Sequence, residues 1–189
     1  MRKVIYSMGV SLDGFIEGPN RELDWSTPDE ELHRIWNDQA RETGVFLYGR
    51  RLYELMADFW PTADQDPSAP EYVAEFARIW RDTPKVVFST TLEKVDWNST
   101  LVKGNIADEV AKLKAQPGKD MSVGGPTLAS SFIRLDLIDE YRTVVHPVIL
   151  GGGTPFFPAL DERIGLRLVE TRTFSSGAVY LRYERGPVR

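Results

Sequence analysis

Three short stretches of this sequence gather residue types suited to holding a phosphorylated ligand. "SVGGPTL" (122–128) carries an apolar run into two glycines, a proline and a hydroxyl. Gly124 and Gly125 would let an anion approach the backbone, Pro126 suits a first helical turn, and Thr127 adds a donor before Leu128. Gly49 is followed by adjacent cations, Arg50 and Arg51, and "VVFSTTL" (86–92) bears the hydroxyls of Ser89, Thr90 and Thr91. Guanidinium groups suit phosphates because their N–H fork matches the oxygens. Each stretch also has a plainer reading: a tight strand–helix turn, a solvated arginine pair, a polar turn. The dinucleotide fingerprint GxGxxG is absent.

The elements that must position these groups follow from periodicity. "KVIYSMGV", "VFLYG" (45–49), "KVVFST", "STLVKG" and "DMSV" read as strands. Helical stripes appear at Leu32, Ile35, Trp36 and Ala40, at Val73, Phe76, Ala77 and Trp80, behind an Asn105 cap at Ile106, Val110 and Leu113, and at Leu128, Phe132 and Leu135. The first helix is expected to open on a Thr27 cap, with Pro28 in its first turn and Glu30 reaching back. "PTADQDPSAP" (61–70), with three prolines, reads as a loop. "EYRTVVHPVIL", "LRLVETRTF" and "AVYLRYER" close the chain as strands, the last two joined in a hairpin at Gly177. The expectation is one α/β domain over 1–189: a mixed, mostly parallel sheet of about eight strands, about four flanking helices and an antiparallel C-terminal hairpin. All three phosphate-suited stretches then leave carboxyl ends of strands, where open α/β sheets place ligands.

Composition narrows the chemistry. Of 189 residues 42% are hydrophobic and 27% charged, which suits a packed core. A net charge of −5 argues against nucleic acid, and the absence of cysteine removes thiol nucleophiles and Cys-based zinc sites. His33 and His146, the only histidines, read as structural, and no metal site is expected. "MRKVIYSMGVSLDG" reads as a strand rather than a signal peptide, and no apolar run approaches the roughly 20 residues of a membrane span, so a cytoplasmic place is expected.

"VFLYGRRLYE", "VVFSTTL", "SVGGPTLASSFIRLDLIDEY" and "HPVILGGGTPFF", with "SLDGFI" near the start, occur in the order and spacing of the dihydrofolate-reductase-like superfamily. The chain resembles most the branch containing the C-terminal reductase domain of the bifunctional riboflavin-biosynthesis deaminase/reductase (RibD). That resemblance implies NADPH as cofactor. It puts the adenosine phosphates at Gly49, Arg50 and Arg51 with Ser89, Thr90 and Thr91, and the diphosphate at Gly124, Gly125, Pro126, Thr127 and Leu128. It also implies a nicotinamide pocket at Val10, Ser11 and Gly14, with Asp13 as polar candidate, and often a homodimer. Asp13 has an alternative role, an Asx turn beside Gly14.

On the acceptor side the resemblance points to Asp24 and Trp25. Trp25 would stack on a planar heterocycle or staple the following helix. Dihydrofolate reductases keep a carboxylate before a buried leucine of the first helix to bind the pterin; Glu31 before Leu32 offers one, or is a solvated acid. The three glycines of "LGGGTPFF" (150–157) either close the pocket or form a turn. The activity so implied is NADPH-dependent reduction of a small heterocyclic substrate. The nearest named reaction is reduction of 5-amino-6-(5-phosphoribosylamino)uracil; dihydrofolate reduction and a non-catalytic NADPH-binding module are the alternatives.

Overall fold

The computed structural model describes residues 1–188. Strands β1 (Val4–Ser11), β2 (Phe15–Glu17), β3 (Val45–Gly49), β4 (Lys85–Phe88), β5 (Ser99–Val102), β6 (Met121–Gly124), β7 (Glu140–His146), β8 (Thr154–Pro155), β9 (Leu166–Thr173) and β10 (Val179–Arg185) alternate with five helices. These are α1 (Glu30–Arg41), α2 (Arg50–Phe59), α3 (Glu71–Asp82), α4 (Ile106–Ala115) and α5 (Pro126–Arg134). The main sheet has eight strands in the order β5-β4-β3-β6-β1-β7-β10-β9, and β2 pairs with β8 in a small ribbon. The first six of these strands run parallel, and β10 pairs antiparallel with both β7 and β9. Among the described residues no helix is long and apolar enough to cross a membrane.

Side-chain alternation along the strands feeds two cores. On β3, Val45 and Leu47 face one layer while Phe46 and Tyr48 face the other. The first layer includes Val110 of α4 and Leu128 and Phe132 of α5; the second includes Tyr53 of α2 and Trp80 of α3. Burial on both faces explains why β3 and β4 read as unbroken apolar runs. A third cluster seats Leu32 of α1 on Val144 and Tyr180, at the antiparallel end of the sheet.

One expectation is refined and another corrected. Five helices stand where about four were expected: the stretch from Arg50 is α2, with Tyr53 buried and Leu52 and Met56 half-buried. Two charged residues in its first turn mask the stripe. The α1 cap is Asp29 rather than Thr27; the Asp29 carboxylate accepts from the Leu32 amide at 2.9 Å. Thr27 is drawn into the preceding turn, its hydroxyl donating to the Asp24 carbonyl at 3.3 Å. An aspartate two residues nearer the apolar stripe caps at least as well as a threonine.

Connectivity fixes where a crevice opens. From β3 the chain winds outward through β4 to β5, then returns across to β6 on the other side of β3. The β3/β6 boundary is thus a topological switch point, and the carboxyl ends of the strands diverge there.

Candidate functional site

Strand register brings the exits side by side. Tyr48 pairs with Gly124, Gly49 with Phe88, and Phe88 with Val102. The residues that follow, Arg50, Gly125, Ser89 and Lys103, therefore emerge along one line. They border a cavity of about 560 Å³ that is also lined by Gly49, Arg51, Thr90, Thr91 and the Gly124–Leu128 turn. Every residue expected to hold cofactor phosphates lines this one space.

Backbone chemistry makes the cavity receptive to anions. Both α2 and α5 start at its wall, capped by Gly49 and Gly125 with no side-chain bond and with no acid in the first turn. The remaining helices differ: α1 and α4 have Asp29 and Asn105 caps, and α1, α3 and α4 all carry acids in the first turn. First-turn amides left without partners at two convergent helix ends form an anion cradle. Gly125 has φ +88°, a left-handed conformation that favours glycine, and a Cβ on Gly124 would stand 2.6 Å from Leu52 Cδ2. The glycine pair thus lets α2 and α5 approach each other. The peptide bonds are all trans among the described residues.

The two arginines divide. Arg50 donates to Thr91 Oγ1 at 2.9 Å and to Glu54 at 3.0 Å, with its guanidinium half exposed at the cavity rim. Ser89 Oγ accepts from the amides of Thr91 and Leu92, which holds the hydroxyl turn in shape. Arg51 instead grips the almost fully buried Glu17 carboxylate with two bonds, 2.8 and 2.9 Å, and Thr154 adds a third at 2.8 Å. The Arg51 hydrogen bond holds the Glu17 carboxyl below the usual glutamate range. Arg51 therefore ties the β2–β8 ribbon to α2. Lys103, absent from the sequence expectations, adds a cation at the exit of β5; the strand-exit logic applied to "STLVKG" would have found it.

A second cavity of about 330 Å³ adjoins the first, sharing Met8, Ile16, Leu23, Leu52 and Gly124 with it. Its walls are aromatic (Trp36, Phe46, Tyr48, Phe76) with polar groups from Ser7, Gln39, Ser122, Arg142 and His146. Among the described residues no carboxylate lines it. Glu31 lies elsewhere, its carboxylate accepting from the Ser175 hydroxyl at 2.8 Å.

Val10, Ser11, Asp13 and Gly14 line neither cavity. Val10 and Ser11 are buried, and the Asp13 carboxylate accepts from the Ser11 hydroxyl and the amides of Leu150 and Gly151. Those bonds hold its pKa below the ordinary value, the Ser11 bond foremost. They also pin the triple-glycine loop, where a Cβ on Gly153 would overlap the Glu17 carbonyl oxygen at 2.0 Å. Asp24 and Trp25 form a 3-10 turn between two lining residues, Leu23 and Ser26. Trp25 donates from Nε1 to the Glu22 carbonyl at 3.1 Å and meets the His146 ring edge-on. His33 bonds Asn37 at 3.1 Å amid Trp60, Tyr72 and Phe76.

The comparisons agree with this architecture. Residues 2–180 match the RibD C-terminal domain model. The Uncharacterized protein YyaP of Bacillus subtilis (strain 168) is 40% identical over 183 residues, 96% of this chain and 94% of that protein. A Thermotoga maritima diaminohydroxyphosphoribosylaminopyrimidine deaminase/5-amino-6-(5-phosphoribosylamino)uracil reductase superposes with TM-score 0.67 at 14% identity, over 98% of this chain and 57% of that one. Dihydrofolate reductase from Enterococcus faecalis complexed with NADP(H) superposes with TM-score 0.65 at 14% identity, over 98% and 97%. By sequence match over nearly its whole length, and with the dihydrofolate-reductase-like fold, this chain belongs to the RibD C-terminal domain family.

Proposed function

We propose that the chain is a single-domain, NADPH-dependent oxidoreductase that reduces a small heterocyclic substrate. The observation that carries this reading is the pair of uncapped, acid-free helix ends, α2 and α5, opening on one cavity beside Arg50, Thr91 and Lys103. The amides after Gly125 suit the diphosphate, and the Arg50–Thr91 pair suits a 2′-phosphate. When bound, the cofactor supplies the hydride. The chain's own residues hold the phosphates at one end and leave a largely apolar second cavity for the acceptor at the other.

Family membership makes 5-amino-6-(5-phosphoribosylamino)uracil the nearest named acceptor. Dihydrofolate is disfavoured, because Glu31 is spent on Ser175 and no carboxylate lines the second cavity. The reading includes a cytoplasmic homodimer. Support for the dimer is edge strand β9, exposed along its length, with Leu166, Leu168 and Val169 in the open.

The test is tryptophan-fluorescence titration of the wild type and Arg50→Ala with NADPH and NADH. The wild type should favour NADPH. Loss of a charge-assisted bond, about 1.5–3 kcal/mol, should weaken NADPH by about 10- to 100-fold and leave NADH nearly unchanged. Equal weakening of both would count against a 2′-phosphate at Arg50. Tight NADPH binding with no oxidation by any acceptor would favour the non-catalytic alternative.

A further inference from the structure

Reducing a carbon–oxygen or carbon–nitrogen double bond takes a proton as well as a hydride, and the proton must come from a group beside the acceptor. The second cavity has few candidates. No aspartate, glutamate or lysine lines it. The buried Tyr48 hydroxyl accepts from Trp80 Nε1 at 3.2 Å, and burial pushes its phenol far up. Arg142 is bonded to Glu140 at 2.5 Å and, as an arginine, keeps its proton. The serine and threonine hydroxyls are too weakly acidic. His146 remains.

Its placement suits the task. His146 ends β7, and a Cβ on Gly9 of β1 would stand 3.2 Å from its Nε2. Both residues line the second cavity, and Met8, next to Gly9, lines both cavities. His146 therefore borders the space beside the junction where acceptor and cofactor would meet. The Trp25 ring, edge-on at 5.6 Å and 89°, fixes the imidazole plane. The His146 ring nitrogens are not among the sealed, partnerless polar atoms, and no hydrogen bond contributes to the ring's pKa. The residue is buried and lines the second cavity.

We propose that His146 is the proton donor of the reduction, with Nε2 serving an acceptor lodged in the second cavity. This rests on the reductase reading above. As hydride reaches the acceptor carbon, the double-bond electron pair moves onto oxygen or nitrogen, and that atom takes the Nε2 proton. The imidazolium becomes neutral imidazole and is reprotonated from water. The charged groups facing it are Asp29, in the turn before α1, which favours the imidazolium, and Arg142, four residues back on the same face of β7 and held by Glu140. Burial outweighs Asp29 and brings the ring below the ordinary histidine value of 6.5. The donor form is therefore lost as pH rises through that lowered value.

The experiment has two arms. In the first, wild type and His146→Asn are assayed across pH with NADPH and 5-amino-6-(5-phosphoribosylamino)uracil, with NADPH binding followed separately by fluorescence. The expected result is a drop in kcat of about 100-fold and loss of the wild-type decline towards high pH, with unchanged NADPH affinity. The second arm needs no variant: the chain has only two histidines, so imidazole NMR of the intact protein separates them. The acceptor should move the His146 resonances and leave those of His33 in place. A His146→Asn enzyme within twofold of wild-type kcat, with the same pH profile, overturns the proposal; so do His146 signals indifferent to an acceptor that is turned over. Failure of the wild type to bind NADPH in the fluorescence arm refutes the reductase reading itself, and the donor role with it.

Discussion

The first cavity sets glycine backbone, cations and hydroxyls, with Glu17 and Glu54, into an apolar wall; the second combines aromatic rings with neutral polar groups, Arg142 and the His146 imidazole. The difference lies in where each set sits in the chain. The phosphate side is assembled from consecutive residues at strand exits, so each contribution is a local motif. Most of the acceptor side comes from scattered side chains on β1, α1, β3 and β7 that meet only through the register of the sheet. An anion needs amides and guanidinium groups, which helix starts supply locally, whereas a planar acceptor needs a shaped hollow, which only tertiary packing supplies.

The largest effect expected on the phosphate side comes from Gly125→Ala. A side chain forced to φ +88° costs about 1–3 kcal/mol, and for a chain of this size the melting temperature should fall by about 2–4 °C per kcal/mol. NADPH binding should weaken as the first turn of α5 shifts, while the second cavity is left largely as it was. Thermal unfolding with and without NADPH checks this, and an unchanged melting temperature would contradict the assigned turn. Glu17→Gln gives a smaller effect, about 1 kcal/mol at neutral pH, since a neutral bond replaces a charge-assisted one. The folded-state pKa of Glu17 is lowered, chiefly by the Arg51 bond. Its stabilisation is therefore present above the ordinary carboxyl value and is lost as pH falls through the lowered one. Urea unfolding across acidic pH should show a flatter acid limb in Glu17→Gln; parallel limbs would mean that Arg51 is free to serve a ligand instead.

How much the sequence disclosed follows the same divide. Periodicity located all eight strands of the main sheet: central strands such as β3 and β4, buried on both faces, read as apolar runs, and the exposed β9 was found by its β-branched residues and the hairpin at Gly177. It missed α2, whose Arg50–Arg51 start reads as a strand-exit motif, and the ribbon strands β2 and β8, three and two residues long. The residues proposed to hold phosphates come from local motifs legible in the sequence, and they line one cavity. The roles of Asp13 and Glu31 were not legible, since nothing local reveals that Leu150 and Gly151 or Ser175 will take up their carboxylates. His146 read as structural for a related reason: the room beside its ring depends on Gly9, distant in sequence but brought close by the pairing of β1 and β7.

The central claim is that the exits of β3, β4 and β6 hold one phosphorylated nicotinamide coenzyme between them. A crystal structure of the protein soaked in NADPH tests it most directly. The account predicts diphosphate density on the amides that follow Gly125, the 2′-phosphate between Arg50 and Thr91, and the nicotinamide at the junction marked by Met8. Coenzyme bound on another surface, or phosphates that leave Arg50 and Gly125 untouched, would contradict it.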